Sequence, residues 1–400
     1  MLPSFSVKKQ RSKKTAVLVT AILYITAVIC VDNQAMATDW DNSSNLELQT
    51  IYNDNIKLSS EPHDSVKGTI TDIRLGVTAA TEKSQFSLTP KARFERYDNA
   101  TELDNNLQSI PLVLNFVTGR SQMDLSLEYS RDNTLISEVA DTGLVNTNKR
   151  RVKRNIAPSY AYMLNERNTA QFSIGYTSVG FEDAQDTTLV DYTVPSVNAS
   201  HVYALTETAK LTSTLYGSKL KAPKVQNITS DYGIRLMYGD KISEVLSYSV
   251  QIGRHKSTTN IEYFPGYAYK NVEFGRLLGG DIAWNGEYFT WKLALDNSIE
   301  PSSAGVLVER NKLSINVDKR INRFLKGSLI AGGSRNKDVN HNDNLFSDWE
   351  SRSGATSLSW RLKREWYLRA RYDYYWRKFY TSNSTAESNR IVFSLLYQTK

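Results

Sequence analysis

Trp366-Tyr367-Leu368-Arg369-Ala370-Arg371-Tyr372-Asp373-Tyr374-Tyr375-Trp376-Arg377-Lys378 changes character at every residue. Trp366, Leu368, Ala370, Tyr372, Tyr374 and Trp376 share one parity, and Tyr367, Arg369, Arg371, Asp373, Tyr375 and Arg377 share the other. That is the period of a strand with two unlike faces; a helix mixes the two sets. The run is also long. A soluble strand averages about 5–6 residues, whereas a strand crossing a bilayer at a tilt needs roughly 9–11. The chain turns through polar residues 381–388 and returns with Ile391, Phe393, Leu395 and Tyr397 on one face. These two segments read as the closing strands of a transmembrane β-barrel.

The opposite end begins with Lys8, Lys9, Arg11, Lys13 and Lys14, then an apolar run over 16–31, then Ala35-Met36-Ala37. A basic region, a short apolar stretch and a small-x-small site form a signal peptide, so residues 1–37 are expected to be removed and 38–400 to form the barrel. Cys30, the single cysteine, leaves with that peptide, and no disulfide or thiol chemistry is expected in the mature chain. The charge of +7 shrinks with it: removing five basic residues and one acid from 49 and 42 leaves 44 against 41. A mature chain this close to balance is not expected to bind nucleic acid, which calls for a clear basic excess. The mean hydropathy of −0.44 excludes a helical membrane protein but not a barrel, whose strands meet lipid only at alternate residues.

Alternation predicts about eighteen strands, an even number as in bacterial single-chain barrels. They cover 46–52, 69–80, 85–96, 107–117, 122–132, 152–164, 169–180, 190–204 and 209–218. The second half covers 230–238, 245–254, 274–284, 287–297, 307–318, 324–333, 352–362, 366–378 and 389–398. A bulge is expected near Pro195, where the apolar parity slips. Connections alternate between very short (118–121, 285–286) and long (133–151, 255–273, 334–351), the layout of short periplasmic turns and long extracellular loops. Aromatics fall into two groups. Phe86, Phe116, Tyr162, Phe172, Tyr203, Tyr238, Trp284, Phe289, Trp360, Trp366 and Tyr397 lie by short turns. Tyr52, Tyr97, Tyr129, Tyr192, Tyr216, Tyr232 and Trp376 lie by the loops, so that two interfacial rings are expected. A soluble sandwich would predict shorter strands and no such ordering of loops.

Enzymatic signals are absent from the sequence: there is no G-x-S-x-G, no H-E-x-x-H and no phosphate-binding glycine loop. His63, His201, His255 and His341 are scattered and read as solvated residues. Asp338-Val339-Asn340-His341-Asn342-Asp343-Asn344 has the acidic spacing of a calcium loop without its central glycine or final glutamate, and is expected to be a polar turn. Neither an enzymatic activity, a metal nor a cofactor is expected. The informative residues share the inward parity: Arg74, Lys91, Arg93, Lys153, Arg235, Lys292, Lys312, Lys326, Arg361, Lys363, Arg369, Arg371, Arg377 and Arg390. Against them stand Asp72, Glu95, Asp124, Glu128, Asp281, Asp296, Asp318 and Asp373, so a net basic lumen is expected. Such a wall favours anions, and Tyr367 and Tyr375 offer faces for sugars, although cross-strand ion pairing explains any single member equally well.

Leu46-Glu47-Leu48-Gln49-Thr50-Ile51-Tyr52-Asn53-Asp54-Asn55-Ile56, Arg74-Leu75-Gly76, Trp366-Tyr367-Leu368 and Ala386-Glu387-Ser388-Asn389-Arg390 resemble outer-membrane β-barrels associated with exopolysaccharide biosynthesis loci, the β-barrel porin type 2 family. The resemblance spans the mature chain and brings no catalytic residues. It implies an outer-membrane barrel that exports polysaccharide made by a flippase-and-polymerase pathway. Its implied partners are outer-membrane lipid, the polysaccharide chain, a periplasmic polysaccharide export protein and the barrel assembly machinery. The alternative is a diffusion porin for oligosaccharides or small anionic solutes. One departure is the terminus, where Tyr397 is followed by Gln398, Thr399 and Lys400 instead of closing the chain.

Overall fold

The computed structural model describes residues 38–61, 63–135, 148–185, 187–264, 267–339, 348–380 and 382–399. The proposed signal peptide, with Cys30, and most of the calcium-like loop lie outside them. The first strands are β1 (Asp39–Asn53), β2 (Val66–Ala80), β3 (Ser84–Leu88), β4 (Lys91–Tyr97), β5 (Asn105–Val117) and β6 (Ser121–Asn133). Next come β7 (Arg150–Asn165), β8 (Asn168–Glu182), β9 (Tyr192–Ala204), β10 (Lys210–Ala222), β11 (Asn227–Lys241), β12 (Leu246–Phe264) and β13 (Tyr267–Asn285). The last are β14 (Phe289–Pro301), β15 (Leu307–Arg320), β16 (Leu325–Asp338), β17 (Trp349–Arg361), β18 (Trp366–Phe379) and β19 (Ser384–Gln398).

Consecutive strands pair antiparallel, except that β3 and β4 each pair with β2 and β5, and β1 pairs with β19 from Asn45↔Gln398 to Asn53↔Arg390, so the sheet closes on itself. Strands β3 and β4 are two halves of one crossing. Pro90 has no N–H to give the ladder, yet its carbonyl accepts from Leu75 N (3.0 Å) and Thr89 N donates to Pro111 O (3.2 Å), holding the halves in line. The result is a closed 18-strand antiparallel barrel. Closure leaves no strand edge across the lipid-facing belt, as a structure surrounded by hydrocarbon requires.

Large apolar side chains face out. Leu368, Ala370 and Tyr372 lie in register with Leu395, Phe393 and Ile391, and Phe393 is 61% exposed. The opposite face carries the charged and small polar residues. A barrel this wide cannot be filled by side chains, so an exposed apolar belt and a polar interior identify lipid outside and water within.

Three expectations need correction. Strand β9 has no bulge at Pro195: its register with β8 is unbroken through Tyr176↔Pro195, and the ladder to β10 lapses only from Ser218↔Ser196 until Lys221↔Thr193. A missing N–H thus interrupts pairing without shifting it. Residues 255–273 are not a loop, because β12 and β13 continue to Phe264 and from Tyr267 as a hairpin of two 19-residue strands. The aromatic group by the long connections is also incomplete. Tyr52, Tyr129, Tyr232 and Trp376 face out, but Tyr97 and Tyr192 share the inward parity and are buried, and inward Tyr216 lies under Arg235.

The upper part of the wall parts at one place. The β13–β14 ladder stops at Gly280↔Leu295, whereas β14 stays paired with β15 up to Pro301↔Leu307. The β14–β15 tip, residues 302–306, bends away from β13 and inward, toward the mouth ends of β9 to β11. Val190 N donates to Ser303 O (2.8 Å) and Asn227 Nδ2 to Gly305 O (2.7 Å). Leu307 joins Val179, Val190, Tyr192, Leu220, Ala222 and Val339 in one apolar cluster, and Val306 and Val308 pack with Trp349 in another. Gly305 makes this possible. It has φ +75°, a region costly for other residues, and a Cβ there would come within 2.8 Å of Ala222 Cβ and 3.0 Å of Val190.

Candidate functional site: the charged wall and the narrowed mouth

The arginines of β18 reach inward because Leu368, Ala370 and Tyr372 take the lipid side; strand alternation leaves Arg369 and Arg371 no other direction. Asp373 is fully buried between two of them, with Arg371 Nε at 2.7 Å and Arg390 Nε at 3.0 Å. Toward the short turns, Arg369 Nη1 lies 3.3 Å from Glu47 Oε1. Across β1 and β2, Gln49 Nε2 donates to Asp72 Oδ2 (3.0 Å), and Arg93 forks onto the same carboxylate at 2.6 and 2.7 Å. Arg93 Nη1 is also 3.9 Å from the buried Glu95. The sequence-distant ends of the chain thereby build one charged ladder over β18, β19, β1, β2 and β4. Each carboxylate holds a guanidinium in a fixed direction, and the two-point contact at Asp72 is the geometry in which arginine binds most specifically.

Arg74 and Lys91 face each other across β2 and β4 beside this ladder, and neither has an acidic partner within 4.0 Å among the described residues. They line a pocket of ≈ 490 Å³ together with Glu47, Asp72, Arg93, Glu128, Asp132, Arg151 and Lys153. Arg361 and Tyr367 are cross-strand partners at the short-turn end, and Tyr375 stands one inward position beyond Asp373 toward the loops. Lys292 pairs with Asp281 at 3.3 Å, and Lys326 with Asp318 at 3.3 Å. Arg235 stacks over Tyr216, 4.5 Å from the ring centroid. Lys312 lies on the inward face of β15, while Lys363 belongs to the short connection after β17 and to no strand.

Arg377 differs from the expectation. It is inward but only 1% exposed, held under the mouth between Trp349 (5.2 Å) and Phe379 (5.5 Å), so it does not line open lumen. The wall is also less basic than expected, because Glu47, Asp132, Asp231, Glu273 and Glu300 share the inward parity. The basic surplus lies in the sector from β17 to β4, where Arg361, Arg369, Arg371, Arg390, Arg74, Lys91 and Arg93 stand against Glu47, Asp72, Glu95 and Asp373, with Asp39 and Asp41 on the same face only at the short-turn start of β1. His255, read as solvated, is 5% exposed and bonds Asp231 (2.8 Å) above the glycine at 275, whose missing side chain makes room for the ring. No group of three metal-ligating side chains occurs among the described residues.

Missed altogether were Glu47 and Gln49, which alternation alone could have placed inside, and the Asn227–Gly305 contact, which no periodicity signals. At the mouth, Arg151 forks onto Asp132 at 2.9 and 3.0 Å, adding a rigid pair to the rim.

A closed barrel with a lipid-facing belt and a charged interior defines a membrane-spanning β-barrel. No family model matches the chain, and no curated protein matches it. Solved structures similar to it include OpdL of Pseudomonas aeruginosa, at 12% identity and TM-score 0.46, covering 90% of this chain and 99% of that one. OccK2 (OpdF) of the same organism in complex with glucuronate is similar at 10% identity and TM-score 0.47, covering 90% and 99%. The outer membrane protein OpdK, also from Pseudomonas aeruginosa, is similar at 11% identity and TM-score 0.45, again covering 90% and 99%. Likeness at this level carries nothing about the solute, and the fold rests on the strand ladder itself.

Proposed function

We propose that the protein is an outer-membrane diffusion channel for small anionic solutes such as sugar acids, inserted after loss of residues 1–37. The carrying observation is the β14–β15 tip. It leans in from the wall and is held to the segment before β9 and to the start of β11 through Val190 and Asn227, a narrowing of the mouth that favours small molecules over a polymer. Below it, the surplus of arginine and lysine from β17 to β4 gives an anion a lower-energy path along one wall, as rings of basic residues do in pores. Arg74, Lys91, Arg93, Arg369, Arg371 and Arg390 are assigned to that path, with Tyr367 and Tyr375 as stacking faces. Arg361 extends it toward the short turns, whereas Lys292 on β14 and Arg235 on β11 stand on the wall outside it.

Export of exopolysaccharide is the competing function, favoured by the sequence resemblance. It would add a glycan chain and a periplasmic export protein as partners, and would need the tip to swing aside. Deleting the gene separates the two. A channel for small solutes leaves extracellular polysaccharide unchanged and lowers uptake of small sugar acids; loss of the polysaccharide with uptake intact would overturn the proposal.

A further inference from the structure

The outward face above the apolar belt carries a second basic feature that plays no part in the lumen. On β12 and β13, Arg254 and Arg276 are cross-strand partners, both exposed and both directed outward in the series of Ile252 and Leu278. One rung further toward the loops, Lys256 lies 5.9 Å from the Tyr232 ring centroid and 5.5 Å from that of Phe274, which is 74% exposed. Lys219 on β10 continues the patch at the next rung through Ser230 and Thr258. No acidic side chain lies within 4.0 Å of these four cations among the described residues.

Two guanidiniums facing each other across a strand pair repel. No acidic partner among the described residues relieves that, so an anion from outside is the natural complement. The depth says which anion. Exposed aromatic rings mark the boundary of the hydrocarbon, and Lys256 stands over two of them, so the patch lies at the level of lipid headgroups on the side of the long connections. The parting of β13 from β14 above Gly280 adds a second feature there. Beside Arg276, the β13 edge keeps backbone N–H groups that strand pairing does not consume, and phosphate oxygens accept from such groups. We infer that Arg254, Lys256, Arg276 and Lys219 form a binding surface for the phosphorylated sugar headgroup of an outer-leaflet glycolipid.

The test uses the full chain in detergent, following the heat-induced loss of the folded gel band. Diphosphorylated lipid A should raise the midpoint by several degrees, and dephosphorylated lipid A should not. Arg254→Gln/Arg276→Gln should weaken the concentration dependence by about tenfold or more, given the contribution of each basic residue at an anionic surface. Inorganic phosphate at equal phosphate concentration should leave the midpoint in place. If that double variant fails to fold, Lys219→Gln/Lys256→Gln is the replacement and should weaken binding likewise. Equal stabilisation by dephosphorylated lipid A, full stabilisation by inorganic phosphate, or undiminished response in a folded double variant would overturn the inference.

Discussion

Asp373 shows at the level of one residue how this barrel keeps charges inside. Its carboxylate is fully buried, while Arg371 and Arg390, which hold it, remain about one third exposed to the lumen. Removing the acid leaves two guanidiniums facing each other, and a buried pair broken on one side is costly. Solvent around the arginines softens that, so Asp373→Asn is expected to cost about 2 kcal/mol, seen as a lower urea midpoint in detergent. Neighbouring residues on β18 test the faces. Leu368→Arg puts a charge against lipid and should cost roughly 2–4 kcal/mol, whereas Arg369→Leu loses one partly exposed pair with Glu47 and should cost about 1 kcal/mol. The reverse ranking in the same unfolding assay would mean that lumen and lipid faces are exchanged. These placements were legible in the sequence because parity alone decides them. Arg377 was not: its parity is correct and β17–β18 register sets it beside Trp349 and Phe379, but its burial also depends on Val306 and Val308 of the β14–β15 tip, which pack on Trp349.

At the scale of the element, the β14–β15 hairpin is where sequence reading and structure part. Its strands alternate as well as any, which is why both were found, but nothing in their period says that the tip leaves the wall. The only local sign is Gly305, whose role shows once its neighbours Ala222 and Val190 are known. The β12–β13 hairpin fails in the opposite way. Its upper half reads as a loop because Lys256, Ser257, Thr258, Thr259 and Asn260 are polar on both faces, and it is a strand because a hairpin at and beyond the headgroup level needs no apolar side. Gly305→Val should dislodge the tip and raise single-channel conductance severalfold while leaving the folded gel band intact. Asn227→Ala, which removes one hydrogen bond worth about 1 kcal/mol, should act in the same direction more weakly through more frequent openings. Unchanged conductance in both variants would show that the tip does not limit passage.

For the whole molecule, closure between β1 and β19 makes the two ends of the chain one stretch of wall, and that stretch holds the charged ladder. Eighteen crossings and their faces followed from period, length and the ordering of connections; the sectoral charge did not, because it depends on which strands meet at the seam. The barrel is expected to migrate on gels in a heat-modifiable way with a β-dominated circular dichroism spectrum. The most direct measurement is the reversal potential of the purified protein in a planar bilayer under a potassium chloride gradient, repeated with Arg74→Gln/Lys91→Gln/Arg93→Gln. The account predicts an anion-selective potential that moves toward the cation side in the triple variant, with conductance reduced by added sugar acid in the native protein alone. A cation-selective potential in the native protein, or one that the triple substitution leaves in place, would contradict it.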